Sequence, residues 1–283
     1  MAEDLEAAAR RARPPQLNVP LRVAAFWLGY SAIFVGLGLV LGLAPPAVRM
    51  LVAGLLVTLA SIALTAALTR SEGGSLAAVG AGWSSGSVTR FSTGIAFGGA
   101  MVALLVALSR IALGPISFAR SPGATASTVL LMSATFIALS AGEELGFRGY
   151  PFQRLRDRYG VGTAQVVVAL AFAAYHLLQG WPLVNALVGT TAGSVLFGMA
   201  VLASRGLAFP IGMHAAWNLG SWVLGTKGEA GYWRMDLAGQ PSFVALTAVY
   251  LGVMVVSTAA LWWWMRRAGG TLPVGWASLR SGG

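Results

Sequence analysis

The sequence predicts an all-α polytopic membrane protein of about eight transmembrane helices. Three observations predict it. The 283 residues are 57% hydrophobic and 10% charged, with mean hydropathy +0.73, whereas a soluble domain carries about 25% charged residues. Apolar windows recur along the whole chain, each near the ~20 residues that a bilayer core requires. The arginines gather at the ends of these windows rather than along one soluble face, so the net charge of +10 points to membrane flanks and sets nucleic acid aside as a partner.

The elements follow in chain order. Residues 1–20 (MAEDLEAAARRARPPQLNVP) lack the apolar core of a signal peptide. They read as a short cytoplasmic tail, partly helical up to Pro14-Pro15. Helices are predicted over 21–43, 50–69, 93–115, 128–157, 162–179, 184–204, 207–224 and 242–265. They make one multi-span domain over 21–265, followed by a C-terminal tail over 266–283. The fourth helix is long and carries Pro151, where a kink is expected. Loops 70–92 and 225–241 are rich in Gly, Ser and Ala and are expected at the membrane interface. Fourteen Lys and Arg residues fall on the N-terminal side by loop parity and five on the other. The positive-inside rule therefore places both termini in the cytoplasm, with the chain in the cell (plasma or inner) membrane. Trp262, Trp263 and Trp264 beside Arg266 and Arg267 read as an interfacial aromatic belt. Gly142/Gly146 and Gly189/Gly193 have the spacing that lets helix backbones pack closely. The absence of cysteine excludes disulfides, thiolate metal sites and a cysteine nucleophile.

Against this apolar background the rare polar groups stand out. Of nine acids, Glu3, Asp4 and Glu6 lie in the N-terminal tail, and Glu72, Asp157, Glu229 and Asp236 in loops or interfaces. That leaves Glu143 and Glu144 inside a span, together with the only two histidines, His176 and His214. Ionisable groups at membrane depth cost at least a few kcal/mol each and persist mainly where they do chemistry or carry ions. Glu144 and Arg148 are spaced i,i+4 and can pair on one helix face. Glu143 is rotated about 100° away and is free to point elsewhere. His214 and Asn218 are likewise i,i+4 and can bridge helices or stabilise an oxyanion. Arg154, Arg156 and Arg158 read as a cytoplasmic anchor. Each arrangement taken alone fits ordinary packing or an interfacial ion pair about as well as chemistry. Jointly they converge. Glu143 and His176 bracket Gly160 almost symmetrically, so an antiparallel hairpin about that glycine puts them at one depth, roughly 25 Å from the turn. His214 and Asn218 lie roughly 13 and 20 Å from Arg205.

At these residues the chain resembles the intramembrane CAAX-type proteases and bacteriocin-processing enzymes, the CPBP family, also called the type II CAAX prenyl endopeptidase or Abi family. The family's E-E-x-x-x-R, F-x-x-x-H and H-x-x-x-N motifs match Glu143, Glu144 and Arg148, then Phe172 and His176, then His214 and Asn218. Order and spacing agree, and the resemblance covers roughly 125–222. It implies an endopeptidase with an intramembrane active-site cavity, acting on a prenylated, bacteriocin-like or other membrane-associated peptide. Glu143 would activate water, His176 would help hold it, and His214 and Asn218 would stabilise the oxyanion. Glu144, Arg148 and Phe172 would support the site. Cofactor use stays open between none and zinc. Glu143, His176 and His214 could form a zinc site with water in the fourth position, although H-E-x-x-H is absent. The competing readings are a proton-coupled transporter and a non-catalytic immunity or scaffold protein. The hairpin also sets a difficulty, because it leaves Glu143 and His176 far from the arginine-rich turn. Access from that side requires a turn outside the bilayer, an inverted topology or a cavity that opens differently.

Overall fold

The computed structural model describes residues 19–42, 45–227 and 231–267. The expected tails up to residue 18 and beyond 267, and Glu229, lie outside the described residues. The helices are α1 (Val19–Val40), α2 (Pro46–Ser71), α3 (Ser87–Ala112), α4 (Ala126–Glu144), α5 (Tyr150–Leu178), α6 (Thr191–Ser204), α7 (Ala208–Val223) and α8 (Phe243–Arg267). The fold is all-α and polytopic, as expected. Among the described residues, six helical stretches are long and apolar enough to cross a membrane, with 126–178 counted as one. The 16-residue α7 is not among them. The fold holds short elements that the sequence reading left out, among them a 3-10 turn over Leu76–Val79. A short antiparallel ribbon pairs β1 (Ile116–Arg120) with β2 (Trp233–Leu237), in the register Ile116↔Leu237 to Arg120↔Trp233. Five-residue strands far apart in sequence offer too short an alternation to be read as a sheet.

The stretch 126–178 carries the decisive local structure. Thr125 caps α4, its hydroxyl oxygen accepting from the Thr128 amide at 3.2 Å. Between α4 and α5 lies a π turn, Leu145–Gly149, and the helix breaks at Gly149 (ψ −120°), two residues before Pro151, near the kink expected there. Pro151 sits in the first turn of α5, where its missing N–H breaks no bond. Inside α5, Gly160 adopts φ 85° and ψ 169°, which a residue with a Cβ rarely tolerates. There the chain doubles back. Phe147 then meets Phe172 and Tyr175, with ring centroids 4.9 and 5.4 Å apart, pairs that bracket Gly160 as a hairpin requires.

At the hairpin end, α5 meets the end of α2 through a polar cluster. Glu72, just past α2, accepts from the Tyr150 hydroxyl at 2.5 Å, from Arg154 at 2.7 Å and from Arg22 at 3.2 Å. Tyr150 and Arg154 are thus level with the end of α2, and the chain to Gly160 runs past it. Glu143 is only roughly 10 Å along the axis from Tyr150. Two of the three arginines read as an anchor have acid partners. Arg154 pairs with Glu72, and buried Arg156 pairs with Asp157 at 2.8 Å.

Glycine brings the site-bearing helices together. Gly142 faces Val57 and Thr58 of α2, and a Cβ on Gly146 would collide with the Tyr30 ring of α1. Of the second pair, Gly193 approaches Tyr250, whereas a Cβ on Gly189 would meet nothing. The closest approach is between α3 and α7. A Cβ on Gly94 or Gly98 would run into the backbone of Phe209 or Met213, and one on Gly212 into that of Phe91. Overpacking costs about 1–3 kcal/mol even against side chains that can shift, and a facing backbone has less room to yield. Gly98→Leu should therefore lower the thermal midpoint of the detergent-solubilised protein. An unchanged melting curve would show that α7 is not seated as described.

Candidate active site

The site is built where α4 and α7 cross. Their side chains pair at four-residue steps, Glu144 with His214 and Ser140 with Asn218. The adjacent acids have different surroundings. Glu144 is sealed, with its side chain 0% exposed, whereas Glu143 keeps 15%. One oxygen of Glu144 meets Nδ1 of His214 at 2.9 Å and a guanidinium N–H of Arg148 at 3.4 Å. Glu143 faces the other nitrogen of His214, Nε2, at 3.6 Å. It also lies within electrostatic reach of His176 and Lys227.

Arg148 is fully buried and donates to the Ser194 hydroxyl at 2.8 Å. Its guanidinium carbon lies 4.4 Å from the Phe172 ring centre and 5.4 Å from that of Phe197. Phe197 in turn stacks on His214 at 4.1 Å. Arginine, two phenylalanines and the histidine thus form one stack that sets the imidazole plane, while Glu144 sets its rotation. The second oxygen of Glu144 and Nε of Arg148 are buried with no hydrogen-bond partner among the described residues. Such a pair is a weak source of stability and a strong source of geometry.

His176 is held differently. Its Nδ1 lies 2.9 Å from the Phe172 carbonyl. A carbonyl only accepts, so Nδ1 carries the proton, and in the neutral ring Nε2 presents a lone pair. Phe172 and Trp181 wedge the ring at centroid distances of 4.5 and 4.8 Å. The sequence motif thus has two physical roles for Phe172, a face for Arg148 and a carbonyl for His176.

Asn218 donates weakly to the Ser140 hydroxyl at 3.4 Å and accepts from the Lys227 ammonium at 2.5 Å. Contacts link Glu143, His214, Glu144, Arg148, Phe172 and His176 in series, and Asn218 lies one turn beyond His214. The structure adds Ser140, Ser194, Phe197, Trp181 and Lys227. Serines and aromatics are too common in such a chain to be picked out. Lys227 did carry a signal, since it is the only lysine beside eighteen arginines.

The zinc alternative finds no support in the arrangement. Among the described residues no three His, Cys, Asp or Glu side chains are grouped to hold a metal. As placed, Glu143, His176 and His214 are not grouped to share one metal ion.

Compared with known families, residues 125–220 match the one described as type II CAAX prenyl endopeptidase Rce1-like. The chain carries an Rce1-like segment. It covers about a third of the sequence and holds all three motifs, in agreement with the resemblance read from them. The chain matches no curated protein. Together with the apolar helices, the match indicates a multi-pass membrane protein that carries a segment similar to the Rce1-like endopeptidases.

Burial separates the two acids in a measurable way. Breaking a buried pair by removing one partner costs about 3–5 kcal/mol. Glu144→Gln, which leaves Arg148 without its counter-charge, should unfold at markedly lower denaturant than Glu143→Gln. Equal midpoints would mean that Glu144 does not hold the buried arginine.

Proposed function

We propose that this protein is an intramembrane endopeptidase that hydrolyses a peptide bond with a glutamate-activated water. The observation that carries the reading is the difference between the neighbouring acids. Glu144 is sealed and bound to His214 and Arg148, while Glu143 is partly exposed and within electrostatic reach of His176. A base must meet water and substrate, and a positioning carboxylate must not.

Water lies between the Glu143 carboxylate and Nε2 of His176, which accepts one of its hydrogens. Glu143 takes the other proton as the water oxygen attacks the scissile carbonyl carbon. The tetrahedral oxyanion accepts hydrogen bonds from Nε2–H of His214 and from the Asn218 amide. For His214 this requires a proton on Nε2 while Nδ1 stays on Glu144, so the ring is an imidazolium, or Glu144 itself supplies the proton between them. Collapse breaks the C–N bond, and Glu143 returns its proton to the leaving nitrogen. Donors aimed at the oxyanion in a site shielded from bulk water are worth more than in water, because they need no reorganisation. The substrate is a membrane-associated peptide, prenylated or bacteriocin-like, whose scissile bond reaches the middle of the helix bundle. The enzyme sits in the cell membrane with both termini in the cytoplasm.

In proteoliposomes with an internally quenched prenylated peptide, Glu143→Gln and His176→Ala should each lower kcat/KM by at least about 100-fold, the lower end for losing a positioned general base. Both should keep the wild-type melting curve. Full activity in either variant would overturn the mechanism. A zinc chelator should leave the rate unchanged. Loss of activity on chelation that added zinc restores would replace the glutamate route with a metal one.

A further inference from the structure

The chain's only lysine is folded back into the site by a purpose-built turn. α7 ends at Val223, and Gly225 takes φ 72°. The amides of Gly225 and Thr226 reach back to the carbonyls of Trp222 and Ser221, each at 2.9 Å, and the Thr226 hydroxyl reaches Ser221 at 3.0 Å. This is a helix-terminating turn that reverses the chain over the last helical residues. The Met235 amide on β2 ties the turn down through the Leu224 carbonyl at 3.1 Å. The next residue is Lys227. Its ammonium comes back over the end of α7 to Asn218, nine residues upstream, and stands 5.5 Å from the Phe136 ring centre on α4. Burial pushes the ammonium below its ordinary value, while Glu143 holds it up.

A carboxamide is nearly symmetric in shape, and turning it over exchanges an acceptor for two donors. An ammonium carries three donors and no acceptor. The edge of Asn218 that faces Lys227 must therefore be its oxygen, as found, and the N–H2 edge must face away, towards Ser140 and the site. Turned over, Asn218 would set two donors against a cation and aim a carbonyl oxygen at the developing oxyanion. We infer that Lys227 is a positioning residue that locks the Asn218 carboxamide with its N–H2 towards the reacting carbonyl. The inference rests on the peptidase reading and goes beyond it. It adds a residue outside all three motifs and ties the ribbon, through the Met235–Leu224 bond, to the oxyanion site.

The test is a double-mutant cycle in the full chain, reconstituted in liposomes with the same quenched prenylated peptide. Losing an oxyanion donor costs about 100- to 1,000-fold in kcat, and Asn218→Ala should fall in that range. Lys227→Met should lower kcat at least about 10-fold with KM unchanged, and should cost nothing further when added to Asn218→Ala. Lys227→Arg keeps a donor-only cation and should recover most of the rate. Lys227→Gln, whose amide can offer either edge, should not, and it serves in place of Lys227→Met should that variant fail to fold. Wild-type kcat in the Met and Gln variants, full additivity with Asn218→Ala, or a loss confined to KM would each overturn the inference. The two levels stay distinguishable. Full activity in Glu143→Gln refutes the peptidase mechanism itself. Inactive Glu143→Gln and weakened Asn218→Ala beside an unaffected Lys227→Gln refutes only the role of the lysine.

Discussion

The constraint on which the site depends is the burial of the Glu144 carboxylate. One oxygen of that group touches His214 on α7 and Arg148 in the π turn after α4. Arg148 reaches on to Ser194 on α6 and lies against Phe172 on α5. A single sealed charge thus sets the relation of four helices around the place where chemistry is proposed. Away from bulk water the arrangement is stiff, because any displacement exposes an uncompensated ion. The same burial makes the adjacent acid useful. With Glu144 committed to structure, Glu143 is left as the carboxylate open to a ligand.

Two histidines of identical chemistry are driven to different roles by what their Nδ1 atoms meet. A backbone carbonyl leaves His176 an acceptor at Nε2. A carboxylate at Nδ1 leaves Nε2 of His214 facing Glu143. The neighbouring groups, more than the residue type, separate the two roles proposed for them. The carboxamide of Asn218 follows the same logic, since its orientation follows from the charge beside it.

Much of this was legible in sequence because a bilayer makes polarity costly. In so apolar a chain each buried acid or histidine has to be accounted for, and Glu143, Glu144, His176, His214 and Asn218 identify themselves by rarity and spacing. The symmetry of Glu143 and His176 about Gly160 likewise announced the hairpin. Residues whose type is common stayed hidden. Phe197 and Ser194 cannot be told from the other aromatics and hydroxyls by any local pattern. The β-ribbon also escaped notice, because its strands are short and remote in sequence. The partners of Arg154 and Arg156 stayed hidden as well, because a positive charge at a helix end looks the same in sequence whether or not an acid such as Glu72 lies across from it.

By itself, the sequence determined that this chain is a bundle of membrane-length helices, and that its few intramembrane polar groups lie at comparable depth. Hydrophobic length and the cost of buried charge are local properties, and a one-dimensional pattern records them. Only the tertiary structure decided which acid is sealed and which is open, which nitrogen of each histidine is free, and that Lys227 returns to Asn218. Those outcomes turn on contacts between distant segments at a few ångströms, made possible by glycine contacts between helices and one terminating turn. No spacing rule along the chain encodes a distance across it.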